Sequence, residues 1–135
     1  MTAMPHPGAY SAPRRLTYWS ATVIVIGECI AGGIADLARL APFYPVMIHL
    51  GYPSYFTDIL GTAKLLAAAA LLVPGLSRLK EWAYAGIMFN MIGAAVSHLA
   101  VRDGVGDAVV PVAFGLTAFL SWRLSPGRSR VDGLR

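Results

Sequence analysis

Four long apolar stretches alternate along this chain with short clusters of helix-breaking residues. The stretches run from about Leu16 to Leu37, Tyr52 to Val73, Glu81 to Val101 and Ala108 to Leu124. Each approaches the ~20 residues that carry a helix across the hydrocarbon core of a bilayer, the fourth being the shortest. Pro42, Pro45 and Pro53 follow the first stretch, Pro74 and Gly75 the second, Gly104 and Gly106 the third, and Pro126 and Gly127 the fourth. Proline lacks the backbone donor a helix needs, and clusters of proline and glycine mark turns. Pro111 falls in the first turn of the expected fourth helix, where a missing N–H does little harm. The pattern predicts an all-α protein, a bundle of four transmembrane helices over residues 16–124. A flexible tail (residues 1–15) precedes it and a basic tail (residues 125–135) follows.

Composition supports the bilayer as the first partner. Of 135 residues, 56% are hydrophobic and 13% charged, with a mean hydropathy of +0.59. A soluble domain carries about a quarter of its residues as charges, so a water-soluble globule is excluded. The apolar content excludes a disordered chain, and a lone cysteine, Cys29, excludes a disulfide scaffold. The net charge of +4 would suit nucleic acid only if it were gathered on one folded face. Here the basic residues flank the apolar stretches, and no nucleic acid partner is expected.

The placement of those charges predicts an orientation. Arg14, Arg15, Arg78, Lys80, Arg123, Arg128, Arg130 and Arg135 fall on one side of the spans, Arg39 and Arg102 on the other. Cytoplasmic loops are rich in Lys and Arg, which puts both termini in the cytoplasm of a multi-pass protein of the cell membrane. Trp19, Trp82 and Trp122 sit at the same ends, the headgroup level that amphipathic rings favour. The first dozen residues do not read as a signal peptide, because the apolar stretch after Arg14 and Arg15 is too long for a signal core. His6 reads as a solvated tail residue. The segment from Ala38 to Gly51 is too apolar for a hydrated loop; it is expected either to lie in the interface, anchored by Phe43 and Tyr44, or to fold back as a lid.

The chemistry lies in polar residues placed where lipid should be. Glu28 and Lys64 fall near the middle of the first and second spans. A charge at mid-bilayer costs roughly 2.5–3.5 kcal/mol on insertion scales, so the two are expected to meet inside the bundle. Asn90 lies at the same depth in the third span and offers both a donor and an acceptor. Helical spacing puts Glu28 with Gly32, Thr57 with Gly61, Lys64 and Ala68, and Asn90 with Ala94 and Ser97 on three faces. Toward the outer side, Asp36, Asp58 and His98 are expected to converge, with His49 and Arg102 in the adjoining loops. Such a group suits proton acceptance, and no ligand-spacing motif points to a metal. An interhelical clamp is the alternative for the deep group, but polar contacts between membrane helices are worth ~0.6 kcal/mol on average. That is small beside the cost of inserting charges. Cys29 reads as a packing residue. No phosphate loop, nucleophile elbow or haem-attachment motif is present.

The stretches LGYPSYFTDILGTAKLLAAAALLVP (Leu50 to Pro74) and RLKEWAYAGIMFNMIGAAVSH (Arg78 to His98) resemble the DoxX-like family of small four-helix bacterial membrane proteins. The pieces G-Y-P-x-Y-F, I-L-G-x-x-K and L-K-E-W-A-Y-A-G carry the likeness, which extends from about Thr17 to Trp122. The resemblance matches Glu28, Lys64 and the Ser97–His98 pair to the polar positions of the family pattern. The family is named for the membrane subunit of an archaeal thiosulfate:quinone oxidoreductase, and other members resemble partners of redox-stress systems.

Three functions are weighed. In the leading one the chain is a redox-linked inner-membrane subunit holding a quinone or similar amphiphile, with no covalent cofactor. Glu28, Lys64 and His98 carry the chemistry; Asn90, Ser97, Asp58, Asp36 and Gly61 line the site. A soluble or membrane oxidoreductase partner supplies electrons, and a homodimer is among the assemblies considered. In the second, the chain is a non-catalytic assembly or chaperone subunit that offers small-residue faces (Ala31, Gly32, Gly33; Gly115, Ala118) to a partner. In the third, it is a proton-coupled carrier of a small molecule.

Overall fold

The computed structural model describes residues 11–126, which form five helices. These are α1 (Ala12–Leu37), α2 (Phe43–His49), α3 (Tyr55–Leu72), α4 (Ser77–Ala100) and α5 (Val105–Leu124). Helices α1, α3, α4 and α5 are long and apolar enough to cross a membrane. They pack as a ring in which α1 touches α3 and α5, and α4 touches α5 and α3. This is the four-helix architecture predicted from the apolar stretches. Residues before Ser11 and after Pro126, including His6, Arg128, Arg130 and Arg135, lie outside the described residues.

The helix ends differ from expectation in informative ways. Helix α1 begins at Ala12, so Arg14 and Arg15 are helical rather than part of a tail. Pro13 falls in the first turn, where its fixed φ suits a helix start. Helix α4 likewise begins at Ser77, a turn before Glu81. Helix α5 begins at Val105, which moves Pro111 out of the first turn into the second. There it leaves Asp107 O without its helical donor, one missing hydrogen bond in a helix that continues to Leu124. Helix α3 starts only at Tyr55, because Pro53 cannot continue a helical ladder from Tyr52.

Both α1 and α4 end in left-handed arginines. Arg39 has φ 53° and Arg102 has φ 62°. The turn then closes back on the helix: Leu40 N–H donates to Ala35 O at 2.8 Å, and Asp103 N–H to His98 O at 2.9 Å. Glycine usually takes this position. Here arginine does, and the same reversal swings Asp103 back against His98.

The bundle's interior is narrow. Val25, Cys29, Ala68, Leu71, Tyr84, Ile87, Met91 and Ala118 form the buried cluster, while Leu66, Phe89, Leu116 and other large apolar side chains face outward. In lipid no hydrophobic force separates inside from outside, so close backbone packing by small residues holds the helices. The tightest crossing joins α1 to α3. A Cβ at Gly61 would lie 2.7 Å from Gly33 O, and one at Gly33 would lie 3.0 Å from Gly61 O. Of the small residues assigned to an outside partner, Gly32, Gly33 and Ala118 are buried within the bundle, Gly115 is half-buried and Ala31 is exposed.

Candidate intramembrane site

The Gly33–Gly61 crossing sets up the deep polar site. Bringing the backbones of α1 and α3 together there places Lys64, one turn along α3, against the face of α1 that carries Glu28, Gly32 and Asp36. Glu28 and Asp36 are two turns apart on that face, about 12 Å along the axis. Lys64 Nζ fills the gap, 3.2 Å from Glu28 Oε1 and 3.2 Å from Asp36 Oδ2. Gly32 makes the room: a Cβ there would sit 2.9 Å from both Glu28 Oε1 and Lys64 Nζ. The expected face of Thr57, Gly61, Lys64 and Ala68 is buried throughout. The expected Glu28–Lys64 contact is present, and Asp36 joins it.

Asp36 is 1% exposed, and its Oδ2 has the Lys64 ammonium as a partner charge without an aligned hydrogen bond. Two carboxylates thus share one ammonium, leaving one negative charge in excess when all three are ionised. On the outer side the Phe43 ring of α2 covers Lys64, with Nζ 5.2 Å from its centroid. A cation over an aromatic face is favourable, and more so when desolvated. The segment expected as an interfacial anchor or lid is thus a short helix folded back over the charged group.

A cleft of about 330 Å³ opens from this cluster between α3 and α4. Glu28, Lys64 and Asn90 line its polar end; Leu60, Ala67, Leu79, Trp82, Ile87 and Met91 are among its apolar walls. Asn90 does join Glu28 and Lys64, as expected from its depth. Cys29 also lines the cleft and is fully buried, in keeping with a packing role. Gly61 faces Gly33 instead of the cleft, so its part is to bring the helices together.

The outer polar residues do not converge; the structure distributes them among three separate contacts. Asp36 turns inward to Lys64. Asp58, in the first turn of α3, turns outward and accepts from Arg39 at 3.0 Å, with both side chains about half exposed. His98 pairs with Asp103, Nδ1 to Oδ2 at 2.7 Å, and His49 Nε2 meets the other oxygen at 2.7 Å. Ring N–H groups donating from His49 and then His98 hold the Asp103 carboxyl below its usual range. This bridge ties the end of α2 to α4 and the following loop. Ser97 lies nearby, within 2.7 Å of the Tyr52 hydroxyl and donating to Gly93 O at 2.8 Å. Among the described residues no group of three His, Cys, Asp or Glu is placed to hold a metal ion.

One polar cluster had no counterpart in the sequence reading. Ser121 on α5 lies 2.7 Å from the Thr22 hydroxyl of α1 and 2.7 Å from the Tyr84 hydroxyl of α4. Thr22 also donates to Tyr18 O at 2.7 Å. All three side chains are buried. Hydroxyls cost little to insert in lipid, so no energetic signal singled them out. Near them Trp122 Nε1 donates to Glu81 Oε2 at 2.6 Å.

No curated protein and no solved structure matches the chain. The DoxX-like family model matches residues 20–121, a segment that contains α3, α4, the Glu28–Lys64–Asp36 cluster and the cleft. On that match this multi-pass membrane protein belongs to the DoxX-like family.

Proposed function

We propose that the protein is a redox-linked membrane subunit that binds a quinone or similar amphiphile in the cleft between α3 and α4. The observation that carries this reading is the polarity of the cleft: a charged, hydrogen-bonding end at Glu28, Lys64 and Asn90, and apolar walls elsewhere. Its volume of about 330 Å³ falls within the range of small-molecule sites. Reducing a quinone to a quinol takes two electrons and two protons. A partner oxidoreductase supplies the electrons. Lys64 and Asn90 hydrogen-bond the carbonyl oxygen on which negative charge develops, which a buried ammonium favours. Glu28 delivers the two protons one at a time at the cleft, regaining a proton from water after each transfer, and Asp36 extends the carboxylates one step toward the outer face.

The basic residues support the expected orientation. Arg14, Arg15, Arg78, Lys80 and Arg123 gather at the end of the bundle carrying Trp19, Trp82 and Trp122. Placing that end in the cytoplasm of a cell membrane satisfies the charge rule. For the assembly-subunit reading, Gly32, Gly33 and Ala118 are already buried within the bundle, which leaves Ala31 and part of Gly115 to offer a partner.

The test is mass spectrometry of lipophilic molecules carried by the purified protein, wild type beside Asn90→Leu, a change that leaves every ion pair intact. A quinone that accompanies the wild type and is lost from the variant supports the proposal. A folded wild type that carries none, and takes up none when a quinone is added, overturns it.

A further inference from the structure

We infer that the cleft is loaded sideways from the bilayer and accepts a ligand with one long apolar tail. The head lies at Lys64 and Asn90, and the tail leaves between α3 and α4 toward the basic end. This rests on the reading of the cleft as an amphiphile site, and it adds the route and the shape of the ligand.

The polar end is closed on two sides. Helix α1 stands behind it with Glu28 and Cys29, and Phe43 covers Lys64 from the outer side. The remaining opening is lateral. Small residues make it: Ala63, Ala67 and Ala70 on α3 face Ala83 and Gly86 on α4, so the facing surfaces leave a groove. From Asn90 to Leu79 the groove runs about 16 Å along α4. Leu66, Leu79 and Trp82 flank it and are 66%, 51% and 79% exposed. In a bilayer these side chains meet acyl chains, so a tail passing between them exchanges one apolar neighbour for another. Polar groups occur at one end of the groove only, which matches a ligand with one polar end. A cleft of about 330 Å³ is at the small end of ligand sites and holds a ring and part of a single tail.

Gly86 allows a direct test. A Cβ there meets nothing within 4 Å, and the same is true of Gly93, two turns further along α4 and outside the cleft. Each position thus has room for a Cβ, and a thermal midpoint of Gly86→Phe and Gly93→Phe equal to that of the wild type checks that the bundle is retained. Helical side chains lean toward the N-terminus, so one at position 86 fills the tail groove and leans away from Asn90. Two probes are titrated into protein in lipid nanodiscs: a benzoquinone with a ten-carbon tail, and the same ring without the tail. Gly86→Phe is expected to weaken binding of the tailed probe about tenfold or more while leaving the tail-less ring within about twofold. Gly93→Phe should change neither. If Gly86→Phe binds the tailed probe as the wild type does, or loses both probes equally, the lateral route is wrong while the site stands. If the folded wild type binds neither probe, the site itself falls, and the route with it.

Discussion

Two buried polar triads occupy this bundle, and they are built differently. Thr22, Ser121 and Tyr84 join α1, α5 and α4 through neutral hydroxyls at 2.7 Å, away from the cleft. Glu28, Lys64 and Asp36 join α1 to α3 through charges at 3.2 Å, with an excess carboxylate and an open cleft beside them. The hydroxyl triad does what an interhelical clamp requires at low insertion cost. That clamp holds α1, α4 and α5 with neutral groups, whereas α1 and α3 already meet through the Gly33–Gly61 crossing, so the proposed function assigns the ionic triad to ligand chemistry and not to holding helices. A buried ion pair is in any case weak support for stability, because desolvation offsets most of the attraction.

The comparison can be broken most forcefully at Lys64. Lys64→Met leaves two buried carboxylates without a counter-ion and should cost about 3–5 kcal/mol, read as a large fall in the thermal midpoint in detergent. Adding Glu28→Gln and Asp36→Asn should restore most of that loss while ligand binding stays absent. A single variant as stable as the wild type would show that the carboxylates do not depend on the ammonium. Tyr84→Phe should have a smaller effect, about 0.6–1.7 kcal/mol, with ligand binding unchanged. Lost binding in that variant would erase the distinction between the two triads.

The smallest effect is expected at the outer bridge, which lies beyond the end of α4 and whose His49 is exposed. The Asp103 carboxyl is held below its ordinary value of 3.8, so its contribution to stability is present above that pH and lost as the pH falls through the lower folded value. The midpoint of Asp103→Asn should therefore lie below that of the wild type at pH 6, and the gap should close in strong acid. A gap that persists there would mean that the bridge does not depend on an ionised carboxylate.

Reading the sequence alone located the spans and the Glu28–Lys64 contact because both are enforced by large energies. A run of ~20 apolar residues has few places to go except a bilayer, and a lone charge inside one demands a partner. Asn90 was legible for a related reason, since depth follows from rise per residue. Asp36 was not. It lies one residue from the end of α1, where sequence places a carboxylate at the headgroups, and only the Gly33–Gly61 crossing turns it toward Lys64. The separation of Asp58 and His98 was equally hidden, because it depends on left-handed turns at Arg39 and Arg102 that nothing in those residue types announces. Helix α2 was read only as an apolar segment; Pro42 and Pro45 obscure a seven-residue helix.

The sequence by itself determined that this chain lives in a membrane as four helices and that two opposite charges must meet inside it, because the cost of exposing backbone or charge to lipid leaves no alternative. Which carboxylates share Lys64, where the helices part to leave a cleft, and which hydroxyls clamp the other side were decided by the tertiary structure. Those choices turn on side-chain facing and helix crossing, set by a backbone approach between Gly33 and Gly61 so close that a Cβ at either would lie within 3.0 Å of the other's carbonyl oxygen.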